Sequence, residues 1–268
     1  MASTAYTFGY SAGVLQSHAS RTVTNTCGFF LKDVPVDAHV LDAGCGPGTI
    51  TSSFARVIPK GCIIGIDLSE TIVEKARAQD DLPSNCSFQV ADITQLPFEN
   101  DFFDVVYTSQ VLSHVPAADV AFKELRRVCK PGGFIACREA DATAIMLYPR
   151  HPGLELWKLV LPATVEFSNG HKSCSTLLWL WALGAGFTED QLSLGFGSIL
   201  YTPKERQFWG ETWCKRTRTD TTWRKKAIEA GVVKSDEEFT LIEEGWSSFI
   251  NDPAAVFCMP CGEIICRK

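Results

Sequence analysis

Gly44, Gly46 and Gly48 stand on alternate positions directly after the apolar run Val40-Leu41-Asp42-Ala43. A run of that kind, ending in small residues, reads as a buried parallel strand. The glycines let the backbone turn sharply and approach a ligand with no Cβ atoms in the way. Thr49–Ala55 then reads as the first turns of a helix, whose free N–H groups lie beside the loop. Strand, glycine-rich turn and helix together open a nucleotide-binding half-fold. The second apolar run, from Cys62, stops at Asp67, about 20 residues beyond the glycines, where one carboxylate can accept both hydroxyl hydrogens of a ribose diol. A dinucleotide fingerprint would run G-x-G-x-x-G, with the helix N-terminus set against a pyrophosphate. Here the spacing is G-x-G-x-G with Pro47 inside it, so the loop is not built for two phosphates.

The elements that must hold these residues follow in order. Ser69 is an N-cap for a helix through Ala78, with Ile72, Val73 and Ala76 on one face. Phe88–Ile93 is a third strand and its exit. Phe103–Ser109 is a fourth, and Gln110–Val115 leaves its carboxyl end, where ligands of open α/β sheets bind. Ala117–Val128 is amphipathic with basic residues in its last turns, favourable for the helix dipole. Lys130-Pro131-Gly132-Gly133 turns tightly into a fifth strand, Phe134–Glu139. Leu154–Ser168 and Ser173–Leu183 read as helices, the second leaving through Gly184-Ala185-Gly186-Phe187. Gln191–Tyr201 and Ala255–Cys266 look like a final antiparallel pair. Between them Pro203–Asp252 is too long for a hairpin loop and holds Phe208, Trp209, Trp213 and Trp223 on two or three helices. Aromatic spacing of that kind suits a core or a substrate box, and an inserted helical lid rich in tryptophan fits an apolar ligand. Ahead of the first strand, His18–Thr22 sits in a helix running to about Phe30.

Composition narrows the function classes. With 268 residues and 46% apolar content, the chain can bury one large core, or one core and a modest cap. A net charge of −6 and a pI near 5.4 argue against a phosphate-backbone partner, so no nucleic acid is expected. Met1–Tyr10 has no signal-peptide pattern, and the most apolar stretch, Leu177–Leu183, is too short to span a bilayer. Eleven scattered cysteines favour reduced thiols and a cytoplasmic location over a disulfide framework. Cys258-x-x-Cys261 invites a metal or redox reading, but it lacks a second pair and sits in a strand-like run, so it reads as core thiols and no metal is expected.

Taken together, LDAGCGPGT, IGIDLS, VADITQLPF, FDVVYTSQVLSHV and LRRVCKPGGF resemble, in order, the motif set of class I S-adenosylmethionine-dependent methyltransferases. The resemblance spans residues 36–140 and is nearest the ubiquinone/menaquinone-methyltransferase-like group that modifies small molecules. It implies an α/β fold: a Rossmann-like seven-stranded sheet with helices on both faces and its last strand antiparallel. One domain is expected, residues 1–268, with an N-terminal helical segment (1–32) over the cofactor and helical cap insertions at 140–175 and 202–254. The implied cofactor is S-adenosyl-L-methionine, leaving as S-adenosyl-L-homocysteine. Its binding residues would be Asp42, Gly44, Cys45 and Gly46 in the loop, Asp67 and Leu68 at ribose and adenine, and Asp92 at the adenine amino group with the Ile93 backbone beside it. Gln110 would join them from the exit of the fourth strand, Tyr10 near the methionine end, and Arg21 at the cofactor carboxylate.

A sulfonium methyl is already activated, so the enzyme mainly has to align an acceptor in line with it. His114, from the loop after the fourth strand, is the candidate base, since an imidazole suits proton removal near neutrality; the alternative is a structural histidine capping the next helix. His171 and Glu139 are weaker candidates. A thiol acceptor, partly ionised unaided, would need no base. The expected acceptor is a small, largely apolar secondary metabolite methylated at sulfur or oxygen, with C-methylation of a quinol-type acceptor as the alternative. The overall look suggests enzymes of filamentous fungi, of which thiol methyltransferases acting on gliotoxin-type dithiols are one group. A cofactor-binding regulator without turnover is the reading from another class. The chain is expected to act as a monomer or homodimer.

Overall fold

The computed structural model describes residues 20–268. Tyr10 and the start of the expected N-terminal helix lie outside the described residues. Within them, that helix is shorter than expected: one turn, α1 (Val23–Thr26), then a 3-10 turn at Leu31–Asp33. Asn25 bonds back to the Thr22 N–H and the Ser20 carbonyl, and such side-chain bonds compete with helix continuation.

The sheet follows the expected order with one addition. Strands β1 (His39–Ala43), β2 (Cys62–Asp67), β3 (Cys86–Val90), β4 (Phe103–Ser109) and β5 (Cys129–Ala140) are parallel, in the order β3-β2-β1-β4-β5. The long last strand β8 (Val256–Arg267) lies antiparallel beside β5 and carries β7 (Leu192–Tyr201) on its other side. The eighth strand, β6 (Met146–Tyr148), also pairs with β8, opposite Val256–Cys258, and the sequence reading does not contain it.

Alternate side chains of the central strands bury against opposite layers, as the two-residue strand period requires. Leu41, Ala43, Val106, Ile135 and Cys137 face a core closed by α4 (Ala118–Val128) and α6 (Cys174–Gly184). Val40, Val105, Tyr107, Phe134 and Ala136 face the other, closed by α2 (Thr49–Ala55), α3 (Glu70–Arg77) and Phe30. All eleven cysteines are free thiols. Among the described residues no helix is long and apolar enough to cross a membrane.

A third core forms where helices pack together on the start of β8, which contributes Phe257 and Met259. α5 (Pro152–Phe167) packs with α7 (Arg206–Thr219), α8 (Thr221–Glu229) and α9 (Asp236–Asn251) around Trp157, Trp213, Trp223 and Trp246. The α5–α9 crossing is close because glycine stands on both helices. A Cβ at Gly153 would lie 1.8 Å from the Leu241 carbonyl oxygen, and one at Gly245 would lie 2.8 Å from the Leu154 nitrogen. Trp157 meets Trp213 and Trp246 edge to face, with centroids 4.6 and 4.9 Å apart, the offset that aromatic quadrupoles favour.

Candidate active site

The glycine loop is held from below and open above. The Ile66 carbonyl accepts the N–H groups of both Gly44 and Cys45, at 2.8 and 2.7 Å, which fastens the loop to the end of β2. Gly44 has φ +85°, and a Cβ there would sit 2.2 Å from a Val111 methyl, so the loop also packs on the segment leaving β4. Gly46, at φ +52°, has no neighbour within 4 Å of its Cβ position. A side chain there would occupy the open space of a cavity of about 420 Å³, a volume within the usual range for small-molecule sites.

Asp67 closes one end of this cavity. Its Oδ2 accepts the Gly46 N–H at 3.1 Å and its Oδ1 the Ser69 N–H at 3.0 Å. A carboxylate has about four acceptor positions, so acceptor capacity remains for a ribose hydroxyl. Burial raises the Asp67 carboxyl above its ordinary range, against the backbone N–H donors that lower it. Asp92 lines the same cavity while its Oδ1 accepts the Thr94 N–H and hydroxyl at 2.8 and 2.7 Å, so it forms a turn and faces the ligand space at once.

Of the expected cofactor residues that are described, Arg21, Gly44, Cys45, Gly46, Asp67, Leu68, Asp92, Ile93 and Gln110 all line the cavity. Asp42 does not. Its carboxylate is 2% exposed and takes the Thr51 hydroxyl at 2.6 Å, tying β1 to α2 behind the loop. Burial pushes this carboxyl up to about 7, with the Thr51 bond opposing and Asp67 adding to the rise. Asp42 therefore supports the loop from behind the cavity wall. Asn169, at the end of α5 with φ +59°, joins the wall and was not anticipated; an asparagine just past a helix is a common left-handed terminator, which hides a site role.

A second, smaller cavity of about 80 Å³ opens between the sheet and the helical bundle. Trp157, Trp209, Trp213, Tyr201 and Phe257 wall it. Tyr201 stacks on Trp209 at 4.3 Å, and Phe257 lies 5.1 Å from the same indole. Trp223 stays behind Trp213 in the core and Phe208 packs beside Tyr201, so the aromatics of the 203–252 segment divide between box and core. Arg21, Gln110 and His114 line both cavities. The two spaces therefore abut at these three residues.

His114 ends a 3-10 turn, Leu112–His114, that Glu139 organises. The buried Glu139 carboxylate accepts the backbone N–H groups of Val111, Leu112 and Ser113 at 2.9, 3.0 and 3.3 Å. With its oxygens so occupied, Glu139 fits loop support and not the role of base; burial still raises its carboxyl above the ordinary range. His171 fixes the loop from the other side. Its backbone N–H donates to the Ser113 carbonyl at 2.9 Å and its Nε2 meets the Val115 carbonyl at 3.1 Å. The expectation of a near-neutral base at His114 needs correction. Burial, and after it the charges of Arg21 and Lys226, bring its pKa down to about 3. The ring is thus a neutral imidazole at physiological pH, able to hydrogen-bond an acceptor and poor at holding its proton.

Arg216, on α7, also lines the smaller cavity and was missed. It stands three residues after Trp213 and seven after Trp209 on one helix face. A cation on an otherwise aromatic face was the available signal. Among the described residues no group of three or more His, Cys, Asp or Glu side chains could hold a metal ion.

Comparison with known proteins fits this geometry. Residues 40–133 match the family model described as a methyltransferase domain. An uncharacterized methyltransferase of Schizosaccharomyces pombe is 29% identical over 98% of this chain and 96% of its own length. A probable methyltransferase of Aspergillus luteorubrus is also 29% identical, over 88% of both chains. The crystal structure of a candidate methyltransferase from Bacillus halodurans superposes with a TM-score of 0.58 at 21% identity, covering 89% of this chain and 96% of that one.

Proposed function

The protein is an S-adenosylmethionine-dependent methyltransferase, and we propose that it methylates a small, largely apolar acceptor, at sulfur or oxygen, seated in the aromatic chamber. One observation carries this reading: the cofactor-sized cavity and the chamber abut at Arg21, Gln110 and His114.

In this reading Asp67 takes the ribose diol, Leu68 packs on the adenine, and Asp92 with the Ile93 backbone meets its polar edge. Arg21 takes the carboxylate of the methionine end, and the Gly44–Gly46 backbone lets that end approach. The bound cofactor supplies an activated methyl group. The chain's own work is to hold the acceptor in line with it, and orientation of that kind contributes on the order of 7–11 kcal/mol of barrier reduction. The aromatic walls exclude water, and neutral His114 hydrogen-bonds the acceptor. α5 and the α7–α9 helices act as the cap over the acceptor.

The aromatic box favours a ring-bearing or otherwise apolar body, and relatives in two fungi accord with a fungal secondary metabolite. A gliotoxin-type dithiol is the finer reading. Incubation with labelled S-adenosylmethionine and a panel of phenols, quinols and dithiols, followed by mass spectrometry, tests it. Mass gain at sulfur or oxygen supports the proposal. Methylation at a quinol carbon would favour the alternative acceptor, and cofactor binding with no product from any acceptor class would favour a regulator without turnover.

A further inference from the structure

A Schellman closure ends α5. The Gly170 N–H donates to the Val165 carbonyl and the Asn169 N–H to the Glu166 carbonyl, both at 2.9 Å, with Asn169 left-handed at φ +59°. Beyond it the chain is pressed onto the 3-10 turn that carries His114. A Cβ at Gly170 would lie 2.4 Å from the Ser113 carbonyl oxygen, and the His171 N–H donates to that same carbonyl at 2.9 Å. Backbone contacts on both sides therefore hold Asn169 in place. Its side chain is exposed, lines the larger cavity and makes no hydrogen bond among the described residues. Other polar side chains of that cavity are already bonded within the protein. Ser168 Oγ donates to the Thr164 carbonyl at 2.9 Å, Thr94 to Asp92 at 2.7 Å, and Gln110 accepts from Arg21 at 2.9 Å. Glycine would serve this backbone as well, so the carboxamide is open to another use.

Asn169 also continues a row. Trp157, Leu161 and Val165, spaced four apart on α5, line the aromatic chamber, and Asn169 stands four residues further on, at the cofactor cavity. One helix and its terminal residue thus border both spaces. Val115, whose carbonyl meets His171 Nε2 at 3.1 Å, packs against the apolar cluster that contains Ile93. In the cofactor placement above, that is the adenine side, where Asp92 takes the amino group. The other polar edge atoms of adenine are ring nitrogens, which only accept. A side chain that meets them must donate, and an asparagine amide can.

We propose that Asn169 is a further cofactor-binding residue: its amide N–H donates to a ring nitrogen of the adenine, and this contact fixes α5, the wall shared with the acceptor chamber, when the cofactor is bound. The inference rests on the placement of the cofactor given above. Because α5 carries Trp157, Leu161 and Val165 into the chamber, a cofactor that steadies its end favours the chamber's assembled form. By linkage, an acceptor in the chamber then tightens the cofactor to the same degree. Asn169 lies outside residues 40–133, so the match to the methyltransferase domain does not supply it.

The test is calorimetric titration of the full chain with S-adenosylhomocysteine and with 5′-methylthioadenosine, which keeps the nucleoside and lacks the amino-acid end. Asn169→Gly preserves the left-handed backbone and should weaken both ligands about three- to tenfold, the loss of one neutral hydrogen bond. Asn169→Asp, of the same shape but with no N–H, should bind no better than Asn169→Gly. Hydrogen exchange at saturating S-adenosylhomocysteine reads the effect on α5. Amides in its last two turns should slow on binding in the wild type and not in Asn169→Gly, while those of the Gly44–Gly46 loop slow in both. Unchanged affinity in Asn169→Gly overturns the proposal, as does a loss for S-adenosylhomocysteine alone, which would put the amide at the amino-acid end. Full affinity in Asn169→Asp overturns the donor role, and equal protection of α5 in both proteins overturns its coupling to the cofactor. Equal wild-type affinity for S-inosylhomocysteine, which lacks the adenine amino group, would instead sink the placement of Asp92 and leave the contact of Asn169 with the nucleoside standing.

Discussion

Arg21 donates from Nη2 to Oε1 of Gln110 at 2.9 Å, joining segments 89 residues apart where the two cavities meet. Gln110 holds a left-handed backbone, φ +56°, and its own N–H donates to the Arg138 carbonyl at 2.8 Å. A non-glycine residue held there costs about 1–3 kcal/mol. Gln110→Ala should weaken S-adenosylhomocysteine binding about three- to tenfold by calorimetry, a loss of about 1 kcal/mol typical of one hydrogen bond. Gln110→Gly should show the same loss of affinity together with a raised Tm, because it relieves the backbone. Unchanged affinity in both variants would remove the pair from the cofactor site.

Asp42 sets a pH dependence with a definite sign. An unfolded aspartate titrates near 3.9, and the folded group titrates about 7. The folded state therefore holds its proton longer, and the stability it gives below about pH 4 is lost as pH rises through 7. The loss is at most about 4 kcal/mol. Asp42→Asn, which keeps an oxygen for the Thr51 hydroxyl, should flatten the fall in Tm between pH 4 and 8. An equal slope in variant and wild type would contradict the raised value.

The tryptophans separate by position. Trp209 lines the chamber whereas Trp223 lies behind it. Trp209→Phe should raise the acceptor KM about tenfold with a modest change in Tm. Trp223→Ala should cost about 3–5 kcal/mol of stability with the acceptor KM of the folded fraction unchanged. Equal KM effects at both positions would mean that Trp209 acts through the core alone.

His114, with its pKa brought down to about 3, should add no ionisation limb of its own to the activity profile near neutrality. The pH profile of kcat/KM between 5 and 8 should follow the acceptor's own ionisation, moving when one acceptor is replaced by a more acidic one. His114→Gln should lower turnover and leave the profile's shape. A limb near pH 6.5 that disappears in the variant would restore the imidazole as a working base.

The parallel sheet was legible because its evidence is local. Val40–Gly48, Cys62–Asp67 and Phe103–Ser109 each carry their own strand-and-exit pattern, and nine of the expected cofactor residues line one cavity. Asp42 shows the limit of that logic: adjacency to the loop in sequence does not say which side of the strand faces the ligand. The chamber was legible only as a choice between box and core, since its walls come from α5, β7, α7 and β8 and meet only on folding. Glu139 followed the same rule. As a residue it reads as a candidate base, and only the return of the 111–113 backbone over it shows that its oxygens are taken.

The most direct measurement is a crystal structure with S-adenosylhomocysteine and a methylated product bound together. The expected result places the nucleoside along Gly44–Gly46, Asp67 and Asp92, and the product between Trp209, Trp213 and Phe257, with its new methyl group directed toward Gln110 and His114. A product bound outside the aromatic chamber, with the cofactor site filled, would contradict the proposed path of methyl transfer.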